Sequence, residues 1–236
     1  MARMLPKALL TTLILSTATG CQSGGPRMAG LNPFYRPELT SITTPAERVK
    51  ELRALAEGAP SMDTGASEKM VVDLVRQLGS EPNPMIRQAI IETTTQFKTP
   101  LAAKTPIAGL QDEDSHVRQA CCRMLAERPT PAGAAALAAV AKQDADFDVR
   151  IAAVQALGEQ KDPIAQQALL AALEDSDPAM QLVGVQSMRR VSGKDLGGNV
   201  ADYIALARKQ SAPTTAAGSG EPAIEVAERT FGWLPK

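Results

Sequence analysis

A repeat constrains this chain more than any other feature. Arg87, Arg118, Arg150 and Gln181 stand 31, 32 and 31 residues apart, and the residues around them recur in register. A fixed period of roughly 20–50 residues marks a chain built of stacked supersecondary units. Four residues before each of these positions stand Asn83, Asp114, Asp146 and Asp177. Such side chains accept a hydrogen bond from an orphan N–H of a first helical turn. Pro84, Ser115, Phe147 and Pro178 come next; proline at the first helical position loses no hydrogen bond. A further acid stands two residues before each cap, at Glu81, Asp112, Asp144 and Asp175, where it complements the helix dipole. Each unit therefore opens a helix by the same chemistry.

Apolar or small residues then follow at helical spacing: Ile86, Ala89, Ile90 and Ile91 in one unit, Val117, Ala120, Cys121 and Cys122 in the next. This predicts an apolar stripe on one helical face. Breakers end each helix, as at Arg128 to Pro131, Lys161 to Pro163 and Ser192 to Asp195, and a second, Ala/Leu-rich helix follows, as over Pro163 to Leu173. Neither helix buries its stripe alone, so neighbouring pairs must stack. An earlier unit begins at Thr44, where Thr44-Pro45-Ala46-Glu47 is a capping box; its second helix runs near Ser67 to Leu78 after a longer link from Gly58 to Gly65. The expected fold is all-α, a solenoid of five helix pairs over residues 44–210 with atypical first and last pairs.

Arg87, Arg118 and Arg150 lie just inside their helices. The structural expectation is a ladder, each guanidinium reaching an acid at the turn of an adjacent unit. A row of arginines binding anionic ligands is the weaker alternative, because matching acids recur beside it. Gln181 breaks the row, so the last interface is expected to be less tightly tied.

The segments Asp114-Ser115-His116-Val117-Arg118, Asp146 to Ala153 and Ala156-Leu157-Gly158 before Asp162-Pro163 resemble the HEAT family, in its short variant known from phycobilisome-lyase-type repeats. That resemblance implies a right-handed, armadillo/HEAT-like superhelix with a curved, protein-binding face.

Residues 1–21 read as a targeting segment. Arg3 and Lys7 are its positive end, and Ala8 to Leu15 is an apolar stretch too short to span a membrane. Ala18-Thr19-Gly20-Cys21 looks like a bacterial lipobox, with alanine where leucine is usual. The resemblance implies acylation of Cys21, which with two or more chains anchors stably; ordinary cleavage to a soluble exported protein is the alternative. Gln22 in place of an aspartate favours the outer membrane over the inner. Residues 22–43, with Gly24, Gly25, Pro26, Pro33 and Pro37, read as a tether. Residues 211–236 read as a linker and a short amphipathic segment, Ile224 to Phe231 followed by Trp233, which caps the solenoid or meets a partner.

The balance of 25 basic and 26 acidic residues, with 3% aromatics, argues against a nucleic-acid partner. Cys121 and Cys122 fall where sibling units carry Ile90 and Ile91, or Ala153 and Val154, so they read as small core side chains. The single histidine, His116, stands where siblings have Met85, Asp148 and Ala179. No cofactor, metal site or catalytic set is expected. The sequence thus points to a membrane-tethered interaction scaffold of the cell envelope, holding a protein or peptide on its second helices, where Ala132 to Ala141 offer a smooth groove. A cofactor or chromophore lyase or chaperone is the alternative, and a structural envelope component a third possibility.

Overall fold

The repeated cap residues start helices in the computed structural model, which describes residues 44–210. The signal segment with Cys21, the tether and the C-terminal segment with Trp233 lie outside the described residues. First helices of the units are α1 (Pro45–Gly58), α3 (Pro84–Thr94), α5 (Ser115–Glu127), α7 (Phe147–Leu157) and α9 (Pro178–Ser192). Second helices are α2 (Thr64–Leu78), α4 (Pro100–Gly109), α6 (Pro131–Gln143), α8 (Pro163–Leu173) and α10 (Val200–Gln210). No strand occurs among the described residues.

Local chemistry explains the boundaries. At α1 the capping box closes both ways, Glu47 N–H donating to Thr44 Oγ1 at 3.2 Å and Thr44 N–H to Glu47 Oε2 at 2.8 Å. Second helices use a simpler cap: Thr99, Thr130 and Asp162 each accept one N–H at the start of α4, α6 and α8, and each is followed by proline. Helix α2 begins a turn earlier than its apolar pattern suggested, because Asp63 caps it and a 3-10 turn, Ala59–Ser61, takes up part of the link. Gly193, in the left-handed region at φ 66, ends α9, a conformation open to glycine without a Cβ penalty.

The helices form two layers. In one, α1, α3, α5, α7 and α9 each pack on the next; in the other, α2, α4, α6, α8 and α10 do the same. The core lies between the layers and is continuous, including Leu74, Ile90, Ile91, Leu137, Leu157, Leu169 and Tyr203. Two glycines permit close approach between neighbours. A Cβ on Gly109 would collide with Cys121 Sγ and come within 2.9 Å of Ile91 Cδ1, and one on Gly158 would come within 2.9 Å of Ser187 Cβ.

Cys121 and Cys122 are fully buried and free, like the aliphatic residues at the matching positions. Burial pushes both thiols up, Cys122 to about 12, because the interior disfavours a thiolate.

Candidate functional site

The turns that open the first helices carry most of the recurring chemistry of the repeat, and each cap does what its residue type allows. Asn83 Oδ1 accepts from Met85 N–H at 2.9 Å, Asp114 Oδ1 from His116 N–H at 2.9 Å, Asp146 Oδ1 from Val149 N–H at 3.1 Å, and Asp177 Oδ1 from Ala179 N–H at 2.8 Å. The acid two residues before each cap holds the turn itself. Glu81, Asp112, Asp144 and Asp175 accept the cap's own N–H at 2.8–2.9 Å. The recurring side chain then reaches back to its own turn, where Arg87 and Arg118 donate to carbonyls of residues 81–82 and 112–113. Arg150 donates to Asp144 O at 2.8 Å and Gln181 to Asp175 O at 2.7 Å.

Two of these arginines also reach forward into the next unit. Arg87 grips Asp112 with both prongs, Nε to Oδ2 at 2.9 Å and Nη2 to Oδ1 at 2.7 Å. Arg118 grips Asp144 in the same way, at 2.9 Å on each prong. These pairs are substantially withdrawn from water, with side-chain exposures of 9% and 7%, and of 14% and 7%. Charge-assisted, two-pronged contacts of this kind are among the strongest hydrogen bonds a protein makes. The carboxylate bond raises each guanidinium above its ordinary pKa, against the opposing effect of burial.

Arg150 departs from the ladder expected of it. By position its acid is Asp175, yet no ion pair joins them; the guanidinium carbon instead lies over the Phe147 ring, 5.2 Å from its centre. The cause is local. Phe147 occupies the first helical position, where siblings have Pro84, Ser115 and Pro178, and an aromatic face attracts a guanidinium. The loosening expected at Gln181 therefore begins one unit earlier.

A groove of about 410 Å³ opens at this step, between α6 and α8. Ala138 and Ala141 form one wall, Ile164, Ala168 and Ala171 the other, with Val154 and Met180 beneath. Lys142, Arg150 and Asp175 line its polar part and Gln167 its rim. Small residues create the space. Counted from the caps at Thr99, Thr130 and Asp162, Ala138 and Ala141 stand where α4 has Ile107 and its C-cap Leu110, and where α8 has Leu170 and Leu173. Around the gripped pair Arg87–Asp112, by contrast, the cavity is only about 50 Å³.

Sequence reasoning missed a second set of ties, at the other end of the first-helix layer. There Arg128 donates to Thr95 O, Gln160 to Leu125 O at 2.9 Å, and Arg190 to Gln155 O at 3.4 Å. They reach backwards to carbonyls near the helix C-termini, where carbonyls run short of i+4 N–H partners; Gln155 O also accepts from Gly158 N–H at 3.1 Å. The signal was the placement of a polar residue just beyond each apolar stripe. His116 is exposed and serves only through its backbone. Among the described residues, no group of three His, Cys, Asp or Glu side chains is placed to hold a metal, and no helix is long and apolar enough to cross a membrane.

No curated protein matches the chain. A family model for HEAT repeats matches residues 71–157 and 134–196, which takes in the second half of α2 and all of α3 to α9. Paired helices stacked in two layers, with the arginine and acid of each turn in register, agree with that match. On both grounds this chain belongs to the HEAT-repeat family.

Proposed function

We propose that this protein is a membrane-tethered scaffold of the bacterial cell envelope that holds a protein or peptide partner on its second-helix layer. Family membership supports the general part, since HEAT repeats commonly mediate protein–protein interactions. The groove between α6 and α8 carries the specific part. It is concave and mixed in character, with alanine, isoleucine, valine and methionine side chains beside Lys142, Arg150, Gln167 and Asp175, a make-up suited to recognising a segment of another molecule. The envelope address rests on Ala18-Thr19-Gly20-Cys21, with acyl chains on Cys21 as the anchor.

Two measurements test this reading. The intact mass of the protein from membrane fractions should equal that of a chain beginning at Cys21 plus acyl groups; an unmodified mass sinks the tether. A photo-crosslinker at Gln167, on the groove rim, should trap a discrete partner in native envelopes, while one at Gln155, exposed on α7, should not. Equal trapping at both sites, or none at Gln167, refutes the groove as the contact surface.

A further inference from the structure

The chain itself shows twice what the outer edge of its recurring arginine binds. At Arg87 and at Arg118, Nε and Nη2 together hold one carboxylate, at 2.7–2.9 Å, while Nη1 stays on the arginine's own turn. Arg150 keeps the Nη1 bond to its own turn. Among the described residues, its Nε and Nη2 hold no carboxylate. This same arginine lines a groove of about 410 Å³ between α6 and α8.

We propose that Arg150 is the carboxylate seat of the α6–α8 groove, and that the occupant is an acidic side chain on a partner peptide, flanked by small or aliphatic residues. The proposal rests on the groove being the partner surface. Two cations, Lys142 and Arg150, face one acid, Asp175, so the polar part favours an anion. Asp175 already accepts the N–H of Asp177 at 2.8 Å, as Asp112 and Asp144 do in their own turns. An incoming carboxylate takes the place that Asp175 leaves unfilled. The alanine walls accept the aliphatic neighbours, because Ala138 and Ala141 stand where the sibling units carry Ile107 and Leu110, or Leu170 and Leu173. A planar guanidinium matches a carboxylate prong for prong, which a lysine in its place does not.

The test is a titration of the full exported chain with two acetylated, amidated peptides, Leu-Ala-Glu-Ala-Leu and Leu-Ala-Gln-Ala-Leu, followed by NMR of the arginine side-chain N–H groups. The glutamate peptide should bind at least about ten-fold more tightly than its glutamine twin, the scale of a charge-assisted pair. It should shift the Arg150 Nε–H resonance and leave those of Arg87 and Arg118 in place. Arg150→Gln should remove the preference while the weak binding of the glutamine peptide persists. Ala141→Leu should abolish both. Equal affinities, a preference that survives Arg150→Gln, or no binding of either peptide overturns the proposal. Failure here is separable from failure of the groove itself. If crosslinks from Gln167 vanish with Ala141→Leu but persist with Arg150→Gln, the groove stands and the carboxylate seat falls. If those crosslinks are never formed, both fall.

Discussion

The step joined by Arg118 and Asp144 and the step between Arg150 and Asp175 are built from the same turn, the same cap and nearly the same spacing. In the first, a two-pronged ion pair with side-chain exposures of 14% and 7% closes the units on one another. In the second, the acid and the arginine face a shared groove and do not meet. The difference traces to three residues: Phe147 draws the guanidinium over its ring, and Ala138 and Ala141 are smaller than Ile107 and Leu110 at the matching positions of α4 and its C-cap. A repeat protein can thus acquire a site by subtraction. One unit omits a contact that its siblings make, and the unused chemistry becomes available to a partner.

Removing the arginine should separate the two steps most sharply. Arg118→Ala leaves Asp144 buried without its partner, and should cost about 3–5 kcal/mol in urea unfolding. Arg150→Ala breaks no ion pair and should cost under about 1 kcal/mol. Similar losses from both would mean that Arg150 is paired after all.

A smaller effect is expected where two first helices touch. A Cβ on Gly158 would lie 2.9–3.0 Å from Ser187 Cβ and Cα. Gly158→Ala should therefore cost about 1–3 kcal/mol through overpacking, read from the same unfolding curves. Gly193→Ala controls for general glycine effects, since no atom lies within 4 Å there and only the left-handed backbone resists. Its cost should fall at the low end of that range.

Thiol chemistry gives the gentlest comparison. Cys122, in α5, matches Val154 in α7 by position, yet only Val154 borders the groove. Burial raises the Cys122 pKa from 9.0 to about 12. A folded value above the unfolded one means that the neutral thiol favours the fold fully below pH 9.0, and that this contribution is lost as pH climbs towards about 12. Native Cys121 and Cys122 should resist iodoacetamide at pH 8 until the chain unfolds, whereas an Ala141→Cys variant should react while folded. Rapid native alkylation of Cys122 would contradict the closed packing around α5.

The sequence made the stack legible because its signals are local and periodic. The caps at Asn83, Asp114, Asp146 and Asp177, the prolines at first helical positions and the apolar stripes each act within one turn of helix. The acids at 81, 112, 144 and 175 were visible as well, and so was a pairing rule for the arginines. Whether a particular arginine obeys that rule was not visible, because the outcome depends on competition between Asp175 and the Phe147 ring across a tertiary interface. The groove had two written clues, an aromatic residue among prolines and serine, and alanines among leucines. They gain meaning only when the second helices are aligned on their caps. Asp63 was overlooked as a cap because the link before it breaks the period.

The central claim is that the Arg150 step is open while the Arg87 and Arg118 steps are shut. Hydrogen exchange of the three arginine Nε–H groups in the ligand-free protein tests it most directly. In Arg87 and Arg118 that hydrogen lies in a 2.9 Å bond to a carboxylate and should exchange slowly, whereas in Arg150 it should exchange much faster. Equal protection at all three sites would show Arg150 closed on an acid like its siblings, and would contradict the account.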